Sequence, residues 1–293
     1  MVAARDIQPG EVIFSEEPLA LGPSHDARPC CMDCMKPLNV KDSYLCPKCN
    51  LPVCEEMCSL GEEHSKECSI LAGCGLDGRD LASLTSIYWS LGSLRLLRWR
   101  DEEPAKYDII ERMMDHNEEH RAKTDVWNTY KENVVDFLRI KCGLKDKYSE
   151  EELFHGLGVL DVNGVKINSG TGVVTGHGLY GLTALLSHNC LSNSKTVLKS
   201  DYSLDCKSTR FIGEGEEITK QYVSPLETRE MRRLKLKRGW YFDCKCPRCQ
   251  DPTEHEAFTS ATRCVRCGDG SIVPMQVKFN GNLELIISIA KYF

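Results

Sequence analysis

The feature that most constrains this chain is a dense series of cysteines, with one histidine, between residues 31 and 68. Its members occur in pairs separated by two or three positions, a spacing that lets both side chains of a pair reach one metal ion. The eight candidate ligands are Cys31, Cys34, Cys46, Cys49, Cys54, Cys58, His64 and Cys68. Eight ligands suffice for two tetrahedral zinc sites, and metal binding should supply most of the folding free energy of so small a segment.

Composition excludes several classes of function. The 293 residues can bury one large core or two smaller ones, and the net charge of -6 gives no overall basic field for DNA binding. Charges throughout the first twenty residues argue against a signal peptide, and no apolar run approaches the ~18 residues that span a bilayer. We therefore expect a soluble protein of the cytoplasm and nucleus, in which 17 reduced cysteines are available as zinc ligands rather than disulfides.

A second set of motifs lies between residues 184 and 249. A His-x-Cys turn follows an apolar run, a Gly-Glu-Glu turn leads to a tyrosine, and a Cys-x-Cys-x-x-Cys cluster closes the set. The residues are His188 and Cys190; Gly215, Glu216, Glu217 and Tyr222; and Cys244, Cys246 and Cys249. In this order they resemble the end of a SET domain, the protein-lysine methyltransferase fold, and its post-SET cysteines.

The remaining segments extend this resemblance. The segment 2–21, with a Pro9-Gly10 turn, resembles the opening hairpin of a SET domain. The segment 31–68 resembles a MYND finger, because a RING finger would carry its histidine near the fourth ligand and here it is the seventh. A MYND finger after the first SET hairpin is the layout of SMYD proteins, and the second Cys-x-x-Cys, Cys264 and Cys267, is most similar to the arthropod SmydA subgroup.

The resemblance implies an α+β fold, a SET-domain β-fold carrying an inserted zinc finger, a helical insertion and a zinc-bound post-SET segment. Apolar residues at three- and four-residue steps from 80 to 145 support the helical part. We expect the N-terminal part of the SET domain at 1–29, without the Gly-x-Gly that precedes it in the family, a MYND-type finger at 30–70, a helical insertion at 71–160, the SET core at 161–224, the post-SET segment at 225–252 and a truncated C-terminal extension at 253–293.

The same resemblance assigns roles to individual residues. Tyr222 matches the catalytic tyrosine, although a tyrosine packed in the core of a strand is the alternative. The residues expected to bind S-adenosylmethionine are Asn163, Ser187, His188, Asn189 and Phe242. Asn163 is equally well interpreted as a residue of an Asn-Gly turn.

Three zinc ions are expected as further cofactors. One would be held by Cys190, Cys244, Cys246 and Cys249. In the MYND cross-brace a second would be held by Cys31, Cys34, Cys54 and Cys58, and a third by Cys46, Cys49, His64 and Cys68.

The implied activity is methyl transfer from S-adenosylmethionine to a lysine of a histone or another protein. Several residues depart from the family pattern: Ser187, Asn189, Ser192, Gln221 and Trp240, the last in place of a second tyrosine of the lysine channel. These departures and the absent glycines favour an alternative, a catalytically weak scaffold whose finger recruits proline-rich partners. The basic segment 225–238 is expected to form a solvated helix face.

Overall fold

The computed structural model describes residues 1–23, 29–168, 174–265, 271–279 and 282–290. It divides into two compact units. The first unit comprises Met1–Phe14, Leu185–Val197 and Cys206–Phe293, and the second comprises Ser15–Ala184 and Leu198–Asp205. Helices and strands are mixed along the chain, which confirms the α+β class.

The strands are short except at the C-terminal end. They are β1 (Val12–Glu16), β2 (Ala20–Pro23), β3 (Tyr44–Leu45), β4 (Pro52–Val53), β5 (Val165–Asn168), β6 (Val174–Leu179), β7 (Ser187–His188), β8 (Ser194–Leu198), β9 (Leu204–Ser208), β10 (Thr219–Lys220), β11 (Thr262–Arg263), β12 (Ser271–Phe279) and β13 (Asn282–Ala290). The sheets have the orders β1-β9-β8, β2-β6-β5, β11-β12-β13, β3-β4 and β7-β10.

Most helices belong to the second unit. The second unit contains α1 (Glu56–Ser59), α2 (Glu62–Ala72), α3 (Leu81–Leu97), α4 (Trp99–Glu102), α5 (Pro104–Glu111), α6 (Asp125–Tyr130) and α7 (Glu150–Asn163). The first unit contains α8 (Arg229–Gly239) and α9 (Pro247–Gln250). Within the described residues, no helix has both the length and the apolarity that crossing a membrane requires.

Helix α3 is the centre of the second unit. Its apolar side chains recur at helical spacing and are buried, including Leu84, Ile87 and Leu91, as the periodicity of the sequence predicts. A side chain at Gly22 would place its Cβ 2.7 Å from the Cα of Gly92, so strand β2 can lie this close to α3 only because position 22 is glycine.

Helix α7 begins directly after Ser149, a residue type that often caps a helix, and its first turn is acidic. The hydroxyl of Ser149 accepts a hydrogen bond from the backbone N–H of Glu152, and the Glu152 carboxylate accepts one from the Ser149 N–H. This capping box satisfies two donors that the helix itself leaves unpaired.

A buried ion pair joins the finger helix α2 to α3. The guanidinium of Arg95 lies 2.6 Å from the carboxylate of Glu67, and their side chains are only 1% and 3% exposed. Arg95 also donates hydrogen bonds to the carbonyls of Leu21 and Met32. Because the side chains of Arg95 and Glu67 are both buried, removing one of them leaves the charge of the other in a low-dielectric environment, which is destabilising.

The first unit is organised around the N-terminal segment. Met1 and Ala3 exchange backbone hydrogen bonds with the segment 215–218, and Ile7 pairs with Ile212. The residues they bury together include Ala3, Ile7, Leu186, Ile212 and Ile218. Gly10 has φ +82, which fits the tight turn predicted at Pro9-Gly10.

We predict that Glu67→Gln destabilises the second unit by about 3–5 kcal/mol, because it removes the buried carboxylate that accepts two hydrogen bonds from the buried Arg95 guanidinium. Glu62→Gln on the same helix is the matched control, since Glu62 pairs with Lys66 at an exposed position, and it should cost below about 1 kcal/mol. Urea unfolding followed by far-UV circular dichroism measures both; equal losses in the two variants would contradict this account of Arg95.

Candidate functional site

Four cysteine sulfurs from distant parts of the sequence meet in the first unit. The Sγ of Cys190 lies 4.0 Å from that of Cys244 and 3.5 Å from that of Cys249. With Cys246, the four sulfurs all lie within 4.8 Å of one another. A zinc ion with Zn–S bonds of about 2.3 Å holds its sulfurs about 3.8 Å apart. The cluster therefore fits a closed tetrahedral zinc site, with the ligand set that the sequence predicts.

A buried arginine contacts this sulfur cluster. The fully buried Arg232 on α8 places a guanidinium nitrogen 3.8 Å from the Sγ of Cys249 and another 2.7 Å from the carboxylate of Glu254. Four thiolates around a divalent ion would leave a net negative charge, which the guanidinium offsets. The segment after Cys249 is thereby attached to α8.

The prediction of a solvated basic face is wrong for part of α8. Lys235, Lys237 and Arg238 are exposed, but Arg229 and Arg232 are buried. Arg232 is buried because Glu254, 22 positions later in the chain, supplies its counter-charge.

His188 connects the cysteine cluster to Tyr222. Its Nδ1 accepts a hydrogen bond from the backbone N–H of Tyr222 at 3.0 Å, so this nitrogen carries no proton. The proton therefore sits on Nε2, which lies 3.3 Å from the Sγ of Cys190 and can donate to it. Burial lowers the pKa of His188 to about 4, which favours this neutral form.

Tyr222 is held at both ends. Its hydroxyl donates a hydrogen bond to the backbone carbonyl of Leu186 at 2.7 Å. Its ring lies 5.2 Å from the rings of both His188 and Trp240, and burial raises the pKa of the phenol. The phenol therefore stays protonated with its hydrogen directed at Leu186, and its oxygen lone pairs are left as acceptors.

Phe242 closes this aromatic group. Its ring centroid lies 6.0 Å from that of His188, and Phe242, Tyr222 and Trp240 all pack against the buried cysteines. Tyr222 and Phe242, two of the predicted site residues, are thus joined through His188 in one cluster.

The buried side chain of Asn193, which the sequence motifs do not include, links two segments of the site. Asn193 is 2% exposed; its side-chain oxygen accepts from the Thr219 N–H, and its amide donates to the Glu217 carbonyl. Nearby, β7 and β10 pair in parallel, with Ser187 opposite Thr219. These bonds hold the His188 segment and the Tyr222 segment side by side.

The Gly-Glu-Glu turn adds further hydrogen bonds between the same two segments. Gly215 has φ +79, a backbone conformation that favours glycine. A hydrogen bond from Arg210 holds the pKa of Glu216 at about 2, and Glu216 also accepts from the Asn193 amide. Glu217 accepts the Ser187 hydroxyl at 2.6 Å, so Ser187 has a structural partner here.

Comparison with known proteins decides the family. The family model for the SET domain matches residues 1–223. The chain belongs to the SET-domain family. It is similar to Drosophila melanogaster "SET domain-containing protein SmydA-8, isoform A", with 29% identity over 94% of this chain and 59% of that protein.

Other similar proteins are SMYD methyltransferases by name. "Histone-lysine N-methyltransferase Smyd1" of Mus musculus is 28% identical over 44% of this chain and 29% of its own length. "Histone-lysine N-methyltransferase SMYD3" of the same species is 26% identical over 85% and 58%. The predicted resemblance to SMYD-type proteins, and to SmydA among them, is confirmed. The chain spans about three fifths of the SmydA-8 relative.

Two further clusters in the second unit match the MYND cross-brace. Cys31, Cys34, Cys54 and Cys58 form one group, and Cys46, Cys49, His64 and Cys68 form the other. Sulfur separations of 3.6 Å between Cys34 and Cys54, and 3.7 Å between Cys46 and Cys68, again fit tetrahedral zinc. Asp33 accepts the backbone N–H of His64 and so fixes the start of the ligand-bearing helix α2.

The departures from the SET pattern have partners of their own. The Asn189 side chain accepts the Leu191 N–H in a local turn, and the Gln221 amide donates to the Cys190 carbonyl. Trp240 contributes its ring to the wall beside Tyr222. These residues therefore support the geometry of the SET site rather than disrupt it.

Three residues named from the sequence do not belong to the clusters described above. Asn163 is the last residue of α7 in the second unit, and its amide donates to the carbonyls of Met114 and Val159. It is the last residue of a helix, so its interpretation as a residue of an Asn-Gly turn is wrong; a contact with the cofactor stays a prediction. Cys264 is buried, whereas Cys267 lies outside the described residues.

We predict that Cys190→Ser lowers the zinc content of the purified chain by one ion, because it removes a ligand from a closed site. Cys142→Ser is the control, since this half-buried cysteine lies outside all three clusters. Inductively coupled plasma mass spectrometry measures the content; an unchanged value for Cys190→Ser would rule out this ligand set.

Proposed function

We propose that this SET-domain chain is an S-adenosylmethionine-dependent protein-lysine N-methyltransferase. The observation that supports this most strongly is the phenol of Tyr222, whose hydrogen is directed to the Leu186 carbonyl while its oxygen remains an acceptor. Relatives named as histone-lysine methyltransferases support the same activity. They do not favour the alternative of a catalytically weak scaffold.

The residues fit such a cofactor by their chemistry. S-adenosylmethionine would supply a methyl group on a sulfonium. The substrate's neutral amine would attack the methyl carbon, so that the N–C bond would form while the S–C bond broke, S-adenosylhomocysteine would leave as a neutral thioether, and the methylated ammonium would lose a proton to water. An oxygen acceptor such as that of Tyr222 can hold polarised C–H and N–H groups in line without itself reacting. The fixed orientation of the Tyr222 hydroxyl is therefore the proposed contribution of this residue to the rate of methyl transfer.

His188 acts as a positioning residue in this proposal. Both of its ring nitrogens are engaged, one by the Tyr222 N–H and one by the Cys190 sulfur. Only the face of the His188 ring is therefore available for contact with the cofactor. Phe242 and the backbone of 187–189 complete the expected cofactor contacts. Asn163, in the second unit, is proposed as a further contact.

Zinc would have a structural role. All three clusters use four protein ligands, which leaves no open position for a reacting group. The cluster around Cys190 would hold the Phe242 segment beside His188 and Tyr222. The two finger clusters would fold the segment 31–68, whose binding to proline-rich peptides stays a prediction.

The substrate is proposed to be a lysine in a protein. The names of the SMYD relatives point to histones, and hence to action in the nucleus; further non-histone substrates in the cytoplasm stay a prediction. The net charge of -6 suits a basic protein substrate better than DNA.

We predict that Tyr222→Phe lowers methyl transfer about 100-fold, because it removes one oriented polar group from the reacting centre. Transfer of tritiated methyl from S-adenosylmethionine to core histones and to a panel of cytosolic proteins measures the rate. Tyr44→Phe, an exposed tyrosine in the second unit, is the control. Zinc content should be unchanged in both variants, and Tyr222→Phe should lose only about 1 kcal/mol of stability with its hydrogen bond to Leu186. Equal transfer by Tyr222→Phe and the parent chain would refute the role of the phenol.

A further inference from the structure

A second group of metal-binding side chains lies apart from the cysteines, on the turn between α5 and α6. The sequence here is His116-Asn-Glu-Glu-His120. The ligand atoms of His116, Glu119 and His120 all lie within 4.8 Å of one another. The Nδ1 of His116 lies 3.7 Å from a carboxylate oxygen of Glu119.

We propose that His116, Glu119 and His120 form an accessory binding site for a divalent transition-metal ion such as Zn²⁺. Two imidazoles and one carboxylate are a donor set that suits such ions. With bonds of about 2.0–2.2 Å, a tetrahedral ion holds these donors about 3.4 Å apart. The exposed side chains of Glu119 and His120 reach that separation by small rotations.

The turn that carries the three ligands is held in place by a hydrogen-bond network beneath it. Asp115 accepts from the backbone and the side chain of Asn117 and lies 2.7 Å from His155 of α7. The buried Arg121 donates to Asn117 and pairs with Asp161. The ligands are therefore presented by a fixed backbone, which lowers the ordering cost of binding an ion.

The surrounding charge favours a cation. His116 and Glu119 line a cleft of about 1030 Å³ in the second unit. Seven carboxylates line this cleft: Glu111, Asp115, Glu118, Glu119, Glu150, Glu151 and Glu152. Lys131 is the one lysine or arginine among the described lining residues. Arg139 and Arg100 pair with Glu150 and Glu152 from outside the lining, so the carboxylates still outnumber these cations by four. A concave surface of one sign concentrates counter-ions, so divalent cations should accumulate at the three ligands.

Three protein ligands leave a coordination position for water or another donor. This distinguishes the site from the cysteine clusters, which are closed. A bound ion would also place positive charge at the acidic cleft. Neither effect depends on Tyr222 or on the sulfur cluster of the first unit.

The test is a calorimetric titration of Zn²⁺ into the full chain after its three cysteine clusters have been saturated and excess ion removed. We expect one further equivalent to bind. His120→Gln and Glu119→Gln should each weaken this binding at least tenfold, about the minimum loss seen even for residues that only support metal ligands. His116→Asn should do the same while tolerating the positive φ of 54 at this position.

Glu118→Gln is the matched control. It removes the same charge from the adjacent exposed position of the cleft but no ligand, so binding should stay within about threefold. Absence of a further equivalent in the parent chain would overturn the proposal. Equal weakening by Glu118→Gln and Glu119→Gln would also overturn it, because diffuse charge rather than coordination would then account for the binding.

Discussion

The site depends on bringing one sulfur from the middle of the chain to three that follow more than fifty positions later. Cys190 and its three partners reach tetrahedral spacing, and the Nε2 of His188 is hydrogen-bonded to the Cys190 sulfur. His188 in turn accepts the backbone N–H of Tyr222. The direction of the phenol is therefore tied, through one imidazole, to the geometry of the cysteine cluster.

Each unit supports its cysteine-rich segment with a buried arginine–glutamate pair. Arg232 pairs with Glu254 behind the cluster of the first unit, and Arg95 pairs with Glu67 between the finger helix and α3. Buried pairs of this kind add little to stability compared with apolar packing, but they are costly to break singly. They therefore define where these segments attach, while metal coordination and apolar burial supply the driving force.

Residues whose chemistry is local could be predicted from the sequence. Cysteine spacing predicts pairs of ligands, and a serine before an acidic first turn predicts the start of α7, because each depends on neighbours a few positions away. The family resemblance, rather than the spacing, implied which pairs share an ion and that Cys190 joins the three later cysteines. Arg232 and Asn193 could not be recognised in this way. Arg232 resembles any surface arginine on a basic helix until Glu254 lies beside it, and Asn193 is defined by two backbone groups 24 and 26 positions later. At Asn163 the local sequence is misleading. The pair Asn163-Gly164 is typical of a turn, whereas helix α7 extends through Asn163.

The close approach of the sulfurs has a consequence for handling the protein. Sγ atoms of Cys54 and Cys58 lie 3.3 Å apart, so a movement of little more than about 1 Å would bring them to the covalent S–S length of about 2.05 Å. Ligands stripped by a chelator in air would oxidise to disulfides within their own clusters, and the thiolates needed to take up the ion again would be lost. Metal removal is therefore reversible only while a reductant keeps these thiols intact.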